Sequence, residues 1–294
     1  MLAMIELLMV ITRLCVLVFL LSSMSGIGLG LTLSQIVAPL RNVKLVVFAL
    51  IANFILAPLL AVGIARLLRL EEPFALGLLL LGLAAGAPFM PKIVGIAKGD
   101  LALSVGLMVL LMVSTTIFLP VALPLLVKGV QVNPWKIAQF LIVLLLLPLI
   151  VGLSVKARAA SLAARLRPLL ERVSSIALLV MLVLIIALNF QAVLRVFGTG
   201  AIAAALLFAA LSTLVGWLLG GRDPAQQTVL GLGTGLRNIP AALVVSVQNF
   251  KDPNVSVMVI VTTLTGILIL VPAARLIGKR ASGALPRNKG VDSN

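Results

Sequence analysis

Histidine and tyrosine are absent from this 294-residue chain, and cysteine occurs once, at Cys15. A single cysteine excludes a disulfide within the chain. Without His and Cys clusters, zinc and iron sites have no ligands; Cys15 lies in an apolar run and is expected to pack there. Charge is also scarce: charged residues make up 11% of the chain, where a soluble domain carries about a quarter. The eight acids are Glu6, Glu71, Glu72, Asp100, Glu171, Asp223, Asp252 and Asp292, all near the ends of apolar runs or between them. With no imidazole, no metal ligands and no acid pair inside an apolar segment, general acid–base or metal-assisted catalysis has no machinery, and the chain is read as a non-enzyme without a cofactor. Hydrophobic residues reach 62%, and the mean hydropathy of +1.27 excludes an ordinary soluble fold.

What remains is a succession of long apolar runs, near 7–33, 43–68, 73–97, 101–127, 135–155, 170–190, 198–220, 226–249 and 255–277. Each is long enough to cross a hydrocarbon layer of about 30 Å as a helix. They are Leu/Ala-rich without alternation, which excludes a membrane barrel, and lipid forces the backbone to satisfy itself within helices. The expected fold is therefore an all-α polytopic membrane protein with about nine transmembrane helices. The first run is too long for a signal peptide, and Glu6 and Arg13 do not form a basic leader. The net charge of +15 would suggest nucleic acid in a soluble protein, but the basic residues sit mainly between the runs, the pattern of membrane topology. Their bias places the N-terminus outside and the C-terminus in the cytoplasm of a plasma membrane, the inner membrane of a bacterium. The densest basic gap, 154–173, reads as a topology anchor beside the headgroups. It suggests an N-terminal half over 1–155, its first repeat ending near 127, a C-terminal half over 156–280, and a polar cytoplasmic tail over 281–294.

Two runs are interrupted. The third contains GAPFMPKIVG, 86–95, and the eighth contains GTGLRNIP, 233–240. Pro88, Pro91 and Pro240 remove backbone donors, and Gly233 and Gly235 loosen the turn before the second break. Each broken run is followed by one more span before its half ends, so the two take matching places if the first half lacks a leading helix. Paired interrupted helices point to an inverted-repeat transporter, with the freed backbone facing a cavity near the midplane. Each break also carries a cation, Lys92 or Arg237. Arg237 is about eleven residues from either end of its run, roughly 16 Å deep at the helical rise. A charge there costs at least ~2.5–3.5 kcal/mol, and the runs contain no carboxylate to pair with it. Two cations at a central cavity suit a small organic anion, a carboxylate for instance, held bidentately by Arg237 and as a point contact by Lys92. Lys92 lies six residues from Lys98, near enough for its stem to reach the interface instead.

The segments IAKGDLALSVGLMVLLMVSTTIFLPVALP (96–124), GTGLRNIPAALVVSVQNF (233–250) and MSGIGLGLTLSQIV (24–37) give the chain a resemblance to the bile acid:sodium symporter family from about Leu17 on. The resemblance implies a core domain in which the two broken helices cross, a panel domain, substrate in the crevice between them, and alternating access. It also implies sodium ligands, and here the chain departs from the family. Gly233 stands at the position of the family's Glu and Arg237 at its Gln, while Asn238 keeps the Asn. Met90 and Pro91 replace Ser and Asn at the first break, and Met108, Leu111 and Met112 stand where the next helix would offer hydroxyls. Thioethers are poor ligands for a hard cation. The implied sodium cage is dismantled, and Lys92 and Arg237 are expected either to bind substrate or to stand in for sodium as fixed counter-charges to the helix-end carbonyls.

Lesser signals have plainer uses. GIGLG (26–30) and GLGTG (231–235) follow no strand and read as close helix packing rather than dinucleotide loops. Asp100 is expected to cap the following helix. Asn53, Pro58, Asn189 and Gln191 are points for helix-to-helix hydrogen bonds or for lining the crevice. The leading function is a secondary transporter of a small organic anion with sodium coupling lost or altered. A sodium-coupled organic-anion symporter and a non-transporting membrane anion receptor are the alternatives. The expected partners are the lipid bilayer and the anion, not nucleic acid; the oligomeric state is left open.

Overall fold

The structure, a computed structural model, describes residues 2–127, 135, 138–139, 142–188 and 196–283, and among these it is helical without a strand. The chain opens with α1 (Leu2–Gly30) and the short α2 (Leu33–Val37). A kinked span follows, made of α3 (Val43–Ile51), a π-helical turn (Ala52–Leu56) and α4 (Ala57–Leu67). The first interrupted run forms α5 (Glu72–Leu83) and α6 (Met90–Ile96), and α7 is Leu101–Leu126. A second π-turn (Ile142–Leu146) leads into α8 (Leu147–Arg158), then α9 (Ala160–Leu188) and α10 (Ala201–Leu219). The second interrupted run forms α11 (Pro224–Gly235) and α12 (Ile239–Asn249), and α13 is Pro253–Gly283.

Six of the described helical stretches are long and apolar enough to cross a membrane: Glu6–Gly30, Val43–Leu67, Leu101–Leu126, Ala201–Leu219, Pro224–Asn249 and Pro253–Arg280. The expected count of nine is not reproduced, for three local reasons. The 73–97 run is cut at 84–89, the 135–155 run lies partly outside the described residues, and so does the 170–190 run. The expected gap at 154–173 is itself mostly helical, because apart from Pro168 the stretch LAARLRPLLERV is dominated by strong helix formers. Asn189, Gln191 and the tail from 284 on lie outside the described residues.

The helices pack in two groups. In the first, α1 runs along both α8 and α9. In the second, α10 packs on α11 and α13, α13 on α5, and α5 on α4, with α7 against α5, α6 and α11. The second group surrounds the two breaks, and its interrupted run 224–249 is the most enclosed of the candidate spans. Asp100 caps α7 by accepting from the Leu103 amide at 2.9 Å. Cys15 is half-buried against the apolar core.

The GIGLG segment works as close packing. A Cβ on Gly28 would strike the Leu149 carbonyl oxygen, and one on Gly152 would come within 2.5 Å of the Ser25 carbonyl oxygen. The α1 and α8 backbones touch at that crossing, so no side chain fits. Gly152→Val is expected to destabilise the purified protein by about 1–3 kcal/mol through forced separation of the helices. Gly63→Ala, at a position with nothing within 4 Å, is expected to leave the melting temperature within a degree or so of the parent; thermal unfolding followed by tryptophan fluorescence measures both.

Candidate functional site

The first break begins where α5 ends at Leu83. Gly86 adopts φ +80°, and a Cβ there would run into the Met112 amide nitrogen of α7. The left-handed backbone and the contact both require glycine. Thr115 of α7 holds the non-helical stretch by accepting from the Ala85 amide at 2.9 Å and donating to its carbonyl at 3.0 Å. Pro91 sits in the first turn of α6, where its missing N–H costs nothing.

In the second break α11 ends at Gly235 and Asn238 caps α12, its Oδ1 accepting from the Ala241 amide at 3.1 Å. Pro240 falls in that first turn. The two breaks touch: the Asn238 amide donates to the Ala84 carbonyl at 2.9 Å. The Asn238 Nδ2 atom is buried without a partner.

Arg237 joins the two breaks. Its Nε donates to the Leu81 carbonyl at 2.8 Å, and Nη2 to the Gly82 carbonyl at 2.5 Å and, more weakly, to the Asn53 carbonyl at 3.4 Å. Nη1 donates to Asn53 Oδ1 at 2.7 Å and to the Thr234 carbonyl at 3.1 Å. A guanidinium has five N–H donors, and each has one of these oxygens. All are uncharged, and no carboxylate pairs with Arg237 among the described residues.

The chain supplies these acceptors for local reasons. Gly82 lies in the last turn of α5 and Thr234 in the last turn of α11, where carbonyls lose their helical partners, and the Leu81 carbonyl, which also accepts from the Ala84 amide at 3.1 Å, offers its second lone pair. Asn53 lies in the π-turn that precedes Pro58, where Ala57 donates back to Ala52. The next donor in that register would be residue 58, a proline, so the Asn53 carbonyl is released to Arg237. Asn53 is fixed in turn by donating from Nδ2 to the Ala49 carbonyl at 2.9 Å and to Thr234 Oγ1 at 3.2 Å. The Phe208 ring of α10 lies 6.0 Å from the guanidinium carbon. Two helix C-termini together present roughly one negative charge, which the guanidinium offsets.

The expectation that Arg237 looks into a watery hollow meets a different arrangement. Arg237 is 5% exposed. The cavity beside it measures about 30 Å³ and is bordered by Leu81, Phe208, Leu236 and Leu270, space for one water rather than an organic anion. Freed carbonyls thus turn to a side chain instead of to solvent. Lys92 is exposed on α6 and lines a separate cavity of about 240 Å³ between the two helix groups. Its Nζ lies 3.5 Å from Ser175 Oγ of α9. Pro88 and Pro91 border the same cavity.

Four of the positions that the resemblance sets against sodium ligands are apolar and enclosed. Met90, Met108, Leu111 and Met112 are fully buried. A Cβ on Gly233 would lie 3.0 Å from Met90 Sδ and closer still to its methyl carbon, so the thioether fills the space of a side chain at 233. Gly235 abuts Thr213. Sequence reasoning did not single out Thr115 or Phe208, nor Arg167 and Glu171, which border the larger cavity; a polar triplet, 114–116, inside an apolar helix was the available signal for Thr115.

Interrupted helices that meet inside a helical bundle, beside a crevice, define a multi-pass membrane transport protein. The model of the Sodium Bile acid symporter family matches residues 17–196, more than half of the chain. The chain is 25% identical over 235 residues to the probable sodium/metabolite cotransporter BASS1, chloroplastic, of Arabidopsis thaliana, covering 79% of this chain and 58% of that protein. It is 24% identical over 276 residues to the uncharacterized sodium-dependent transporter YocS of Bacillus subtilis (strain 168), covering 90% of this chain and 84% of that protein. The chain belongs to the Sodium Bile acid symporter family, a family of transporters and not of enzymes. The family match ends before the second break, which carries Arg237.

Replacing Arg237 with Ala would take the side-chain donors from the Gly82 and Thr234 carbonyls in a dry interior. Arg237→Ala is expected to cost about 3 kcal/mol or more and to lower the melting temperature by roughly 10 °C. Arg237→Lys keeps the charge without the fork and is expected to fall between the two, by the same thermal measurement.

Proposed function

We propose that the protein carries a small organic anion across the membrane by alternating access without sodium coupling, with Arg237 acting as a resident cation at the crossed helix ends. The observation that supports this most is the commitment of every Arg237 donor to a neutral oxygen at the two breaks. A guanidinium so occupied has nothing left to offer a substrate. Of the two expected roles for Arg237, the structural one therefore fits better. Sodium would have to meet Met90, Met108 and Met112 where oxygen ligands are needed.

The anion belongs in the crevice that Lys92 borders, between the α1–α8–α9 group and the group holding the breaks. Lys92 is the accessible cation of the two breaks and serves as the attracting charge. In the bilayer the basic first turns of α9 favour the cytoplasmic face, which puts the N-terminus outside.

Sodium-coupled symport is the second reading, favoured by the words sodium/metabolite cotransporter and sodium-dependent transporter in the names of the two relatives. Uptake or counterflow in proteoliposomes, with sodium replaced by choline, separates the two. The resident-cation account expects rates within about twofold in the two salts, whereas a tenfold or larger loss in choline, equivalent to about 1.4 kcal/mol, supports symport. Counterflow in either salt excludes a non-transporting receptor.

A further inference from the structure

The larger cavity carries a charge arrangement that goes beyond attraction of anions in general. Arg167 and Glu171 stand one turn apart on α9 and pair through Nε and Oε1 at 2.8 Å. Gly30 makes room for this pair: a Cβ there would come within 2.8 Å of the Arg167 guanidinium carbon. Lys92 reaches the same cavity from α6, on the other helix group. Ser174 and Ser175 also border it, but both hydroxyls donate to the Glu171 carbonyl, at 3.0 and 2.7 Å. Their protons are spent, so they face the cavity as acceptors. The donors open to an anion are therefore Lys92, whose 3.5 Å approach to Ser175 is long for a hydrogen bond, and the Arg167 nitrogens that Glu171 does not engage.

The same cavity is bordered by Phe19 of α1 and Phe89 of the first break, whose rings stack with centroids 5.6 Å apart and planes 10° from parallel. Two cations and one carboxylate above an apolar floor leave a single positive charge in excess. From this we infer that the site selects monovalent organic anions with an apolar body, and that Glu171 is the specificity-determining residue that rejects divalent ones. The carboxylate sits between Lys92 and Arg167, and the hydrocarbon part lies on the Phe19–Phe89 face. A second carboxylate would have no free cation, would meet Glu171, and would lose water against the apolar wall.

This inference rests on the proposed transport reading but is tested apart from it, by ligand-induced thermal shifts of the purified full-length chain at matched ionic strength. The probes are hexanoate and hexanedioate, equal in carbon number and different in valence. Wild type is expected to bind hexanoate at least about fivefold tighter, the size of effect a half-exposed pair supplies. Glu171→Gln should shift the hexanedioate-to-hexanoate preference about fivefold towards the diacid, and Lys92→Gln should weaken hexanoate by a similar factor. The double variant Arg167→Gln/Glu171→Gln restores the single excess charge and should return the preference to that of wild type. Absence of a saturable shift with either acid, a preference for the diacid in wild type, or an unchanged preference in Glu171→Gln would overturn the inference. So would a double variant that keeps the preference of Glu171→Gln, since that marks a loss of local structure rather than of charge. Sodium-dependent uptake would reject the resident cation and leave these ratios standing; an unchanged ratio would reject the charge filter and leave sodium independence standing.

Discussion

One side chain, Arg237, settles the accounts of two broken helices at once. Breaking a membrane helix strands carbonyls at its end, and stranded carbonyls in a dry interior cost several kcal/mol each. Leu81 and Gly82 belong to one broken helix and Thr234 to the other, and a single guanidinium satisfies all three together with Asn53. The reverse debt is met as well. A buried guanidinium needs compensating negative charge, and two helix C-termini supply about as much as it carries. Each of the breaks and the charge lowers the cost of the other.

The surrounding structure follows from that junction. Pro58 frees the Asn53 carbonyl by removing a donor, so a proline in one span serves a charge in another. Thr115 pins the first break from α7, and Gly86 lets the chain turn hard against the same helix. Met90 enters the space left by the absent side chain of Gly233. A glutamate at 233 would compete with that methyl group for room and bring a carboxylate to a place now packed with thioethers and leucine. Met90, Met108, Met112, Gly233 and Arg237 thus pack as one mutually consistent set. The crevice is separate from this junction: the dry crossing ties the two breaks together, and the cavity bordered by Lys92, Arg167 and Glu171 lies between the two helix groups.

Much of this was legible in the chain. Hydropathy gave the helical membrane class, and Gly/Pro punctuation within apolar runs placed both breaks within a few residues, because backbone donors and left-handed turns are local properties. The enclosure of Arg237 in the interior of its run agreed with counting along that run. Asn53 stood out as a point for a helix-to-helix hydrogen bond, though not its partner; Leu81 and Gly82, like Asn53 more than 150 positions away in sequence, are ordinary apolar-run residues until a helix ends beside them. The hollow expected around Arg237 failed for the same reason: sequence shows that carbonyls are released, not what reaches them first. The basic segment 154–173 hid Arg167 and Glu171, because membrane topology alone explains a cluster of positive charge there. That Lys92 borders the same cavity from the other helix group becomes visible only in the fold.

The central claim is that the cation at the helix crossing is covalently part of the chain. Titrating the purified wild-type protein with sodium chloride against N-methylglucamine chloride at constant ionic strength, and following its melting temperature, tests this directly. A crossing already filled by Arg237 predicts a melting temperature that stays within about 1 °C across the series, because a ligand that does not bind the folded state cannot stabilise it. A saturable rise of several degrees specific to sodium would mean that the ion still finds a site, and would contradict the account.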